Sequence, residues 1–405
     1  MDKSYVDLPK NEIFIPDYAL AVMDVLTSVG EEVYIVGGCV RDSLLGVIPH
    51  DYDMTLSCAP ERTLELLSPH FRTVATGLKH GTVTAISSGN PIELTTFRVD
   101  GSYTDSRRPD SVSFTRSVSD DLSRRDFTVN AMAYNPHSGL IDLFGGREDL
   151  EKRIIRAVGE PERRFSEDAL RIMRAFRFSA QLGFSIDPDT LSGASSTSSG
   201  LANIARERIG SEFIRLLCSP YPAEPLRLMR EHGILDYATL GYSPSDSVIS
   251  LLSSMPSADT ARLGFYLCEA DESLSREILN SLKCSNKQKS GALCISRECR
   301  SKIENELDAA RLCGRAGEHA PFAARASALL EISPSFAVDL VEKNASPRSV
   351  GDLAIGGREL ISLGFKGAEI GLELARLFEA ALQEPSLNRE DTLLSLAKKH
   401  KEEGK

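Results

Sequence analysis

Two aspartates, Asp51 and Asp53, stand one residue apart at the end of the run GGCVRDSLLGVIPHDYD, residues 37–53. In extended backbone, positions i and i+2 share a face. The two carboxylates then repel, and one takes up a proton unless something offsets the charge. A divalent cation removes the conflict. Magnesium is a hard ion that binds one or two carboxylates together with substrate phosphates, so Asp51 and Asp53 are its candidate ligands. Glu93, in PIELTTFR, lies on a separate predicted strand and is a candidate third carboxylate. Such a set suits two metal ions about 4 Å apart, clamping the attacking and leaving oxygens of an in-line phosphoryl displacement. Gly37 and Gly38 follow an apolar strand. They let backbone come close to a ligand and offer amides to a phosphate. Arg41 is placed to neutralise a phosphate oxygen.

The elements that must position these residues are legible in the pattern. Residues 12–29 carry apolar side chains at helical spacing. Short β-type runs follow at 32–38, 71–77, 81–87 and 91–99, with a helix over 59–68 opened by a proline. The segment 100–113, DGSYTDSRRPDSVS, reads as a mobile loop. A helix start in SDDLSRRDF and the run LIDLFGG close an α/β unit near residue 150. Beyond it strand signals become sparse. The spacing predicts one helix over 166–184 with Ser166 as N-cap, and another over 201–217. The run SGASSTSSG, 192–200, reads as a flexible linker or a weak helix. The expected fold class is therefore α+β and multi-domain, a mixed sheet with helices followed by an all-α remainder.

Composition limits the function classes. A chain of 405 residues exceeds a single core, and 41% hydrophobic with 26% charged residues is ordinary for a soluble globular protein. No apolar run approaches the roughly 20 residues of a membrane span. The eight cysteines form no CxxC pair, which points to reduced thiols and a cytoplasmic setting. The net charge of −11 opposes any broad nucleic-acid surface. From Lys152 to Arg177, however, eight Lys/Arg face four acids, a local +4. Binding to RNA would rest on a limited patch.

The run GGCVRDSLLGVIPHDYD resembles the signature of the tRNA nucleotidyltransferase/poly(A) polymerase family in its bacterial-eukaryotic class. The likeness continues in order through IELTTFRVDGSYTDSRRPDSVSF, RRDFTVNAMAYN (124–135), LIDLFGGREDLEKRIIRAVG (140–159), EDALRIMRAFRF (167–178) and RERIGSEF (206–213). It returns in the tail GGRELISLGFKGAEIGLELARLFEAALQEPSLNREDTLL. The resemblance implies a nucleotidyltransferase head over 1–150, a helical neck over 151–217, a body over 218–345 and a tRNA-binding tail over 346–405. It implies template-independent addition of CMP and AMP, from CTP and ATP, to the 3′ end of tRNA with Mg²⁺. Asp51, Asp53 and Glu93 would be catalytic, with Gly38 and Arg41 on the nucleotide's phosphates. Arg125 and Asp126 would address its triphosphate and ribose, supported by Asn130.

Without a nucleic-acid template, side chains must read the base edge. Asp168 can accept from the exocyclic amine shared by C and A, and Arg171 can donate to a ring nitrogen or carbonyl. Asp168, Arg171 and Arg174 step by three and would share one face of an ideal helix. Arg177, about 180° from Asp168, would be a phosphate contact or a structural residue. The loop residues Tyr103, Asp105, Arg107, Arg108 and Asp110 would form the family's flexible element, tied to the switch from C to A. A-only addition, poly(A) synthesis and a catalytically silent RNA-binding protein remain open as alternatives.

Overall fold

The computed structural model describes residues 13–101, 112–344, 347 and 349–403. The loop positions Tyr103, Asp105, Arg107, Arg108 and Asp110 lie outside the described residues. The chain divides into two compact units, residues 1–212 with 231–237, and residues 213–230 with 238–405.

The first unit is built on a mixed seven-stranded sheet. Its strands are β1 Val33–Val36, β2 Met54–Leu56, β3 Arg72–Gly77, β4 Thr82–Ser87 and β5 Asn90–Thr96. A small antiparallel ribbon follows, β6 Arg98–Asp100 with β7 Val112–Phe114, and then β8 Met132–Asn135 and β9 Gly139–Asp142 rejoin the sheet. The spatial order is β3-β4-β5-β2-β1-β8-β9. The single run expected over 91–99 is thus divided between the sheet and the ribbon.

All four residues of β1 and all three of β2 are buried, as central strands covered on both faces must be. One face of β1 presents Tyr34 and Val36, which join Phe97, Leu122 and Ala133 in a buried cluster. Leu122 belongs to helix α4, Val118–Ser123, whose N-terminus is capped by the Ser117 hydroxyl. Helices α1, Asp17–Ser28, and α3, Pro60–Leu67, pack against each other and against β4. Pro60 stands at the first turn of α3, where its missing N–H costs nothing.

The two glycines end β1. Gly37 adopts φ 78° and ψ −122°, a conformation that side-chain-bearing residues avoid. A β-carbon there would lie 3.2 Å from Arg125 Nη1. Gly38 then opens helix α2, Gly38–Leu44. After α2 the chain returns antiparallel to β1, so that the Val36 N–H donates to the Asp53 carbonyl at 3.0 Å.

Four further elements of this unit matter to the site. Helices α5 Gly146–Lys152 and α6 Pro161–Glu167 precede α7 Leu170–Leu182, and α8 Pro188–Ser196 follows it. The serine-rich run expected as linker or weak helix is ordered: α8 contains its first half and a 3₁₀ turn over Ser198–Asn203 most of the rest. Gly193 permits this packing, since a β-carbon would meet Pro161 at 2.7 Å. The second unit contains only helical elements and turns among the described residues. It is held by an alanine-rich cluster around Leu312 and Ala324 and by a second around Leu360, Leu377 and Leu393. No helix among the described residues is long and apolar enough to cross a membrane.

Gly37→Ala should cost about 1–3 kcal/mol of unfolding free energy. Gly30→Ala, also at positive φ but with open space around it, serves as the comparison in urea titrations. Gly37→Ala should lose more; equal losses would mean the Arg125 contact is unimportant.

Candidate active site

Asp51 and Asp53 do not lie within a strand, as the i, i+2 argument assumed, but in the extended segment entering β2. The alternation survives there: both are exposed on either side of buried Tyr52. Strand β5 runs parallel beside β2 with Met54 opposite Leu94. Carrying that register back one residue sets Asp53 beside Glu93. The two carboxylates line one cavity of 260 Å³ together with Val36, Thr82, Thr95, Arg98, Arg124 and Arg125.

Charge is crowded at this edge. Protein packed around Asp53 strips part of its hydration, and the charges of Asp51 and Glu93 add to the effect. Together they push its carboxyl up to about 6, against a downward pull from Arg125. The Arg124–Arg125 pair is therefore not a surface pair. Both side chains turn onto the cavity, and both are held from behind by Asp121, which is fully buried. Arg124 Nε and Nη2 donate to Asp121 Oδ1 at 3.0 and 2.6 Å, and Arg125 Nη2 donates to Oδ2 at 3.2 Å. Asp121 and Arg98 escaped the sequence reading; only their place beside recognised motifs could have signalled them.

Asp126 turns away from this cavity. Its Oδ2 accepts from Arg174 Nε and Nη2 at 2.7 and 2.6 Å, and its Oδ1 from Phe127 N–H at 2.9 Å and Asn130 Nδ2 at 3.3 Å. Burial alone would raise this carboxyl, but Arg174, then Arg171 and Asn130, outweigh it and hold it at about 2. Asn130 Oδ1 in turn accepts from Arg41 Nη1 at 2.5 Å. Arg41 is buried and also pairs with Asp42 at 2.8 Å, while Gly38 backs it, its β-carbon position 3.6 Å from Nη2. Phe178 gathers three guanidiniums around its ring, Arg177 at 3.9, Arg174 at 5.2 and Arg41 at 5.5 Å. Thus Gly38, Arg41, Asp126, Asn130 and Arg174 do come together, through an aromatic residue that spacing did not single out.

The helix expected over 166–184 is two helices. Pro161 starts α6, and Ser166 lies inside it, not at an N-cap. Asp168 is extended (φ −141°, ψ 102°), and its Oδ1 accepts from the Leu170 N–H at 3.0 Å. A short polar side chain has here won the backbone donor from the helix ladder. Asp168 therefore precedes α7 and does not share a helical face with Arg171 and Arg174. Its Oδ2 accepts from Arg208 Nη2 at 3.2 Å. Arg171 is buried and donates to Glu167 Oε2 at 2.8 Å and to the carbonyls of Arg164 and Arg124 at 3.0 and 2.9 Å. Arg177 pairs with Glu212 at 2.5 Å and Gln181 at 2.8 Å.

Among the described residues, no group of three or more His, Cys, Asp or Glu side chains encloses a metal position. The donor set nevertheless fits magnesium: oxygen ligands only, a repulsion at Asp53 that a cation relieves, and coordination left for phosphates.

A mixed sheet with carboxylates at the edge of adjacent strands and a bed of fixed arginines defines a nucleotidyltransferase head. A family model described as the Poly A polymerase head domain matches residues 33–156, and one described as a probable RNA and SrmB-binding site of polymerase A matches residues 183–240. The CCA-adding enzyme of Lactiplantibacillus plantarum is 35% identical over 396 residues, 94% of this chain and 95% of that enzyme; the chain belongs to the CCA-adding enzyme family. The CCA-adding enzyme of Leuconostoc mesenteroides is 48% identical over 219 residues, a match that spans about half the length of each, 54% and 54%. The crystal structure of the Bacillus stearothermophilus CCA-adding enzyme in complex with CTP superposes with a TM-score of 0.80 at 31% identity, covering 95% of this chain and 97% of that one.

The depressed Asp126 carboxyl has a thermodynamic consequence. A group at about 2 when folded and about 3.9 when unfolded contributes about 2–3 kcal/mol above pH 4, lost as pH falls from 4 to 2. Asp126→Asn should lose that amount in urea titrations at pH 7 and little at pH 2.5. A loss independent of pH would contradict the Arg174 pairing as its source.

Proposed function

We propose that this chain adds CMP and AMP, from CTP and ATP, to the 3′ end of tRNA and releases pyrophosphate. The observation that carries the reading is the shared cavity, lined by Asp53 and Glu93 together with Arg98, Arg124 and Arg125. A triphosphate laid across it meets fixed guanidiniums, which stabilise charge developing on the phosphoryl oxygens without reorganising. Asp51 and Asp53 would hold Mg²⁺, and Glu93 would assist in activating the primer hydroxyl. Two bound ions would supply charge neutralisation at the α-phosphate and align the attacking and leaving oxygens. Gly38 and Arg41 would hold phosphates, and Arg125, Asp126 and Asn130 the triphosphate and ribose. We retain the division into head, neck, body and tail, with the tail on tRNA.

Base selection falls to Asp168 and Arg171. A carboxylate offers about four acceptor positions and a guanidinium five donors. The contacts made by Asp168 and Arg171 therefore leave capacity for a base edge that presents an amine beside an acceptor, as C and A both do. Arg174 would brace this pair through Asp126.

Extension assays test the reading with tRNA ending at the discriminator base, at C and at CC. CTP should be used on the first two and ATP on the third, with UTP and GTP rejected. Extension of the CC end alone would reduce the activity to A addition, and ready use of UTP would remove the base readout. Asp53→Ala should abolish incorporation while leaving tRNA binding intact.

Metal binding should depend on pH. Magnesium competes with the proton on Asp53, so affinity should be full above pH 7 and fall about tenfold per pH unit below 6. Calorimetric titrations that stay flat from pH 5 to 8 would contradict this assignment.

A further inference from the structure

We propose that Asp121 is a positioning residue for the nucleotidyl transfer: it fixes Arg124 and Arg125 against the strands that carry Asp53 and Glu93, and so sets where the triphosphate lies. The inference rests on the reading of the cavity given above. Asp121 is fully buried, so no substrate can touch it, and it acts only through the groups it binds.

Of its four contacts, three go to the arginines and one to the strands. On one side, Oδ1 takes two donors from Arg124 and Oδ2 one from Arg125. On the other, Oδ2 accepts from the Thr55 hydroxyl at 3.1 Å, and that hydroxyl also approaches the Thr95 carbonyl at 3.1 Å. Thr55 lies on β2 two residues beyond Asp53, and Thr95 on β5 two residues beyond Glu93. One carboxylate therefore ties β2, through Thr55, to two arginines that line the same cavity as Asp53 and Glu93. Adjacent cations at Arg124 and Arg125 repel, and a buried counter-charge between them holds both without being exposed to a substrate. The anchor is firm, because Leu122, the next residue of α4, is packed in the core beneath the sheet. Arg125 Nε is buried without a hydrogen-bond partner among the described residues. Its guanidinium thus depends on few contacts, and the bond to Asp121 is the one that sets its direction. Burial opposes ionisation of Asp121, yet Arg124 and Arg125 overcome it and keep the carboxyl below its ordinary range.

The test uses the full-length chain and Asp121→Asn, which keeps the shape and removes the charge. Calorimetric binding of CTP with Mg²⁺ requires no tRNA, so it stands even if the tRNA reading fails. Asp121→Asn should weaken CTP binding about tenfold and raise KM for CTP and ATP by a similar factor. KM for tRNA should stay within about twofold. Combined with Arg125→Ala, it should add little to the effect of Arg125→Ala alone, because both remove the same contact. Thr55→Val cuts only the link to the strands. It should raise nucleotide KM less, in the same direction, and it carries the test if Asp121→Asn does not fold. Unchanged CTP binding and nucleotide KM, with only a lower melting temperature or kcat, would overturn the proposal, as would full additivity with Arg125→Ala.

Discussion

Asp53 feels two other carboxylates, Asp51 and Glu93, at the entry to a central strand, and the rest of the head answers that concentration of like charge. The chain's own offset is partial. Arg125 lowers the Asp53 carboxyl, yet burial, Asp51 and Glu93 still push it to about 6. What remains is a standing demand for positive charge, which a dication and a triphosphate can meet together. The arginines that complete the cavity cannot be left loose, or they would collapse onto the acids they are meant to face. Arg124 and Arg125 are tied from behind by buried Asp121, and outside the cavity buried Asp126 holds Arg174 in the same way. Buried ion pairs add little net stability but break at high cost when one partner is lost. They are suited to holding direction.

The segment Arg124-Arg125-Asp126 joins the cavity to α7. Two consecutive side chains face the catalytic cavity, and the third turns to α7 and pairs with Arg174. The Arg124 carbonyl also accepts from Arg171. Helix α7 is therefore bonded directly to the backbone that carries the cavity's arginines. Phe178, ringed by Arg41, Arg174 and Arg177, gives those cations a common apolar seat.

The carboxylate cluster was legible in the residues. Asp51, Asp53 and Glu93 follow from residue type and strand spacing, and β-type runs at 71–77 and 81–87 became β3 and β4. The Gly-Gly turn follows from the strand before it. The selecting region was less legible. Apolar periodicity runs unbroken through residues 166–184, so it predicts one helix. At the break Asp168 is extended and its side chain accepts from the Leu170 N–H, a contact no periodicity records. Asp121, Arg208 and Glu212 contact tertiary partners 35 to 66 positions distant, Phe178 meets Arg41 from far along the chain, and Arg98 joins through a shared cavity. Nothing local distinguishes Asp121 from its neighbour Asp120, which is part of an ordinary helix cap. Net charge was informative in a limited way: at −11 overall, Arg124, Arg125 and Arg174 are paired with buried acids and half-buried themselves.

The central claim is that Asp51 and Asp53 hold a metal that contacts the α-phosphate opposite Arg125. The most direct measurement is the rate of a single C addition to tRNA with CTP and with its α-thio analogue, each with Mg²⁺ and with Mn²⁺. A hard ion that contacts the α-phosphate binds sulfur poorly, and a softer ion binds it better. The account predicts a marked slowing by sulfur with Mg²⁺ that Mn²⁺ relieves, and loss of that relief in Asp53→Asn. Equal thio effects with both ions would contradict a metal held by these aspartates at the reacting phosphate.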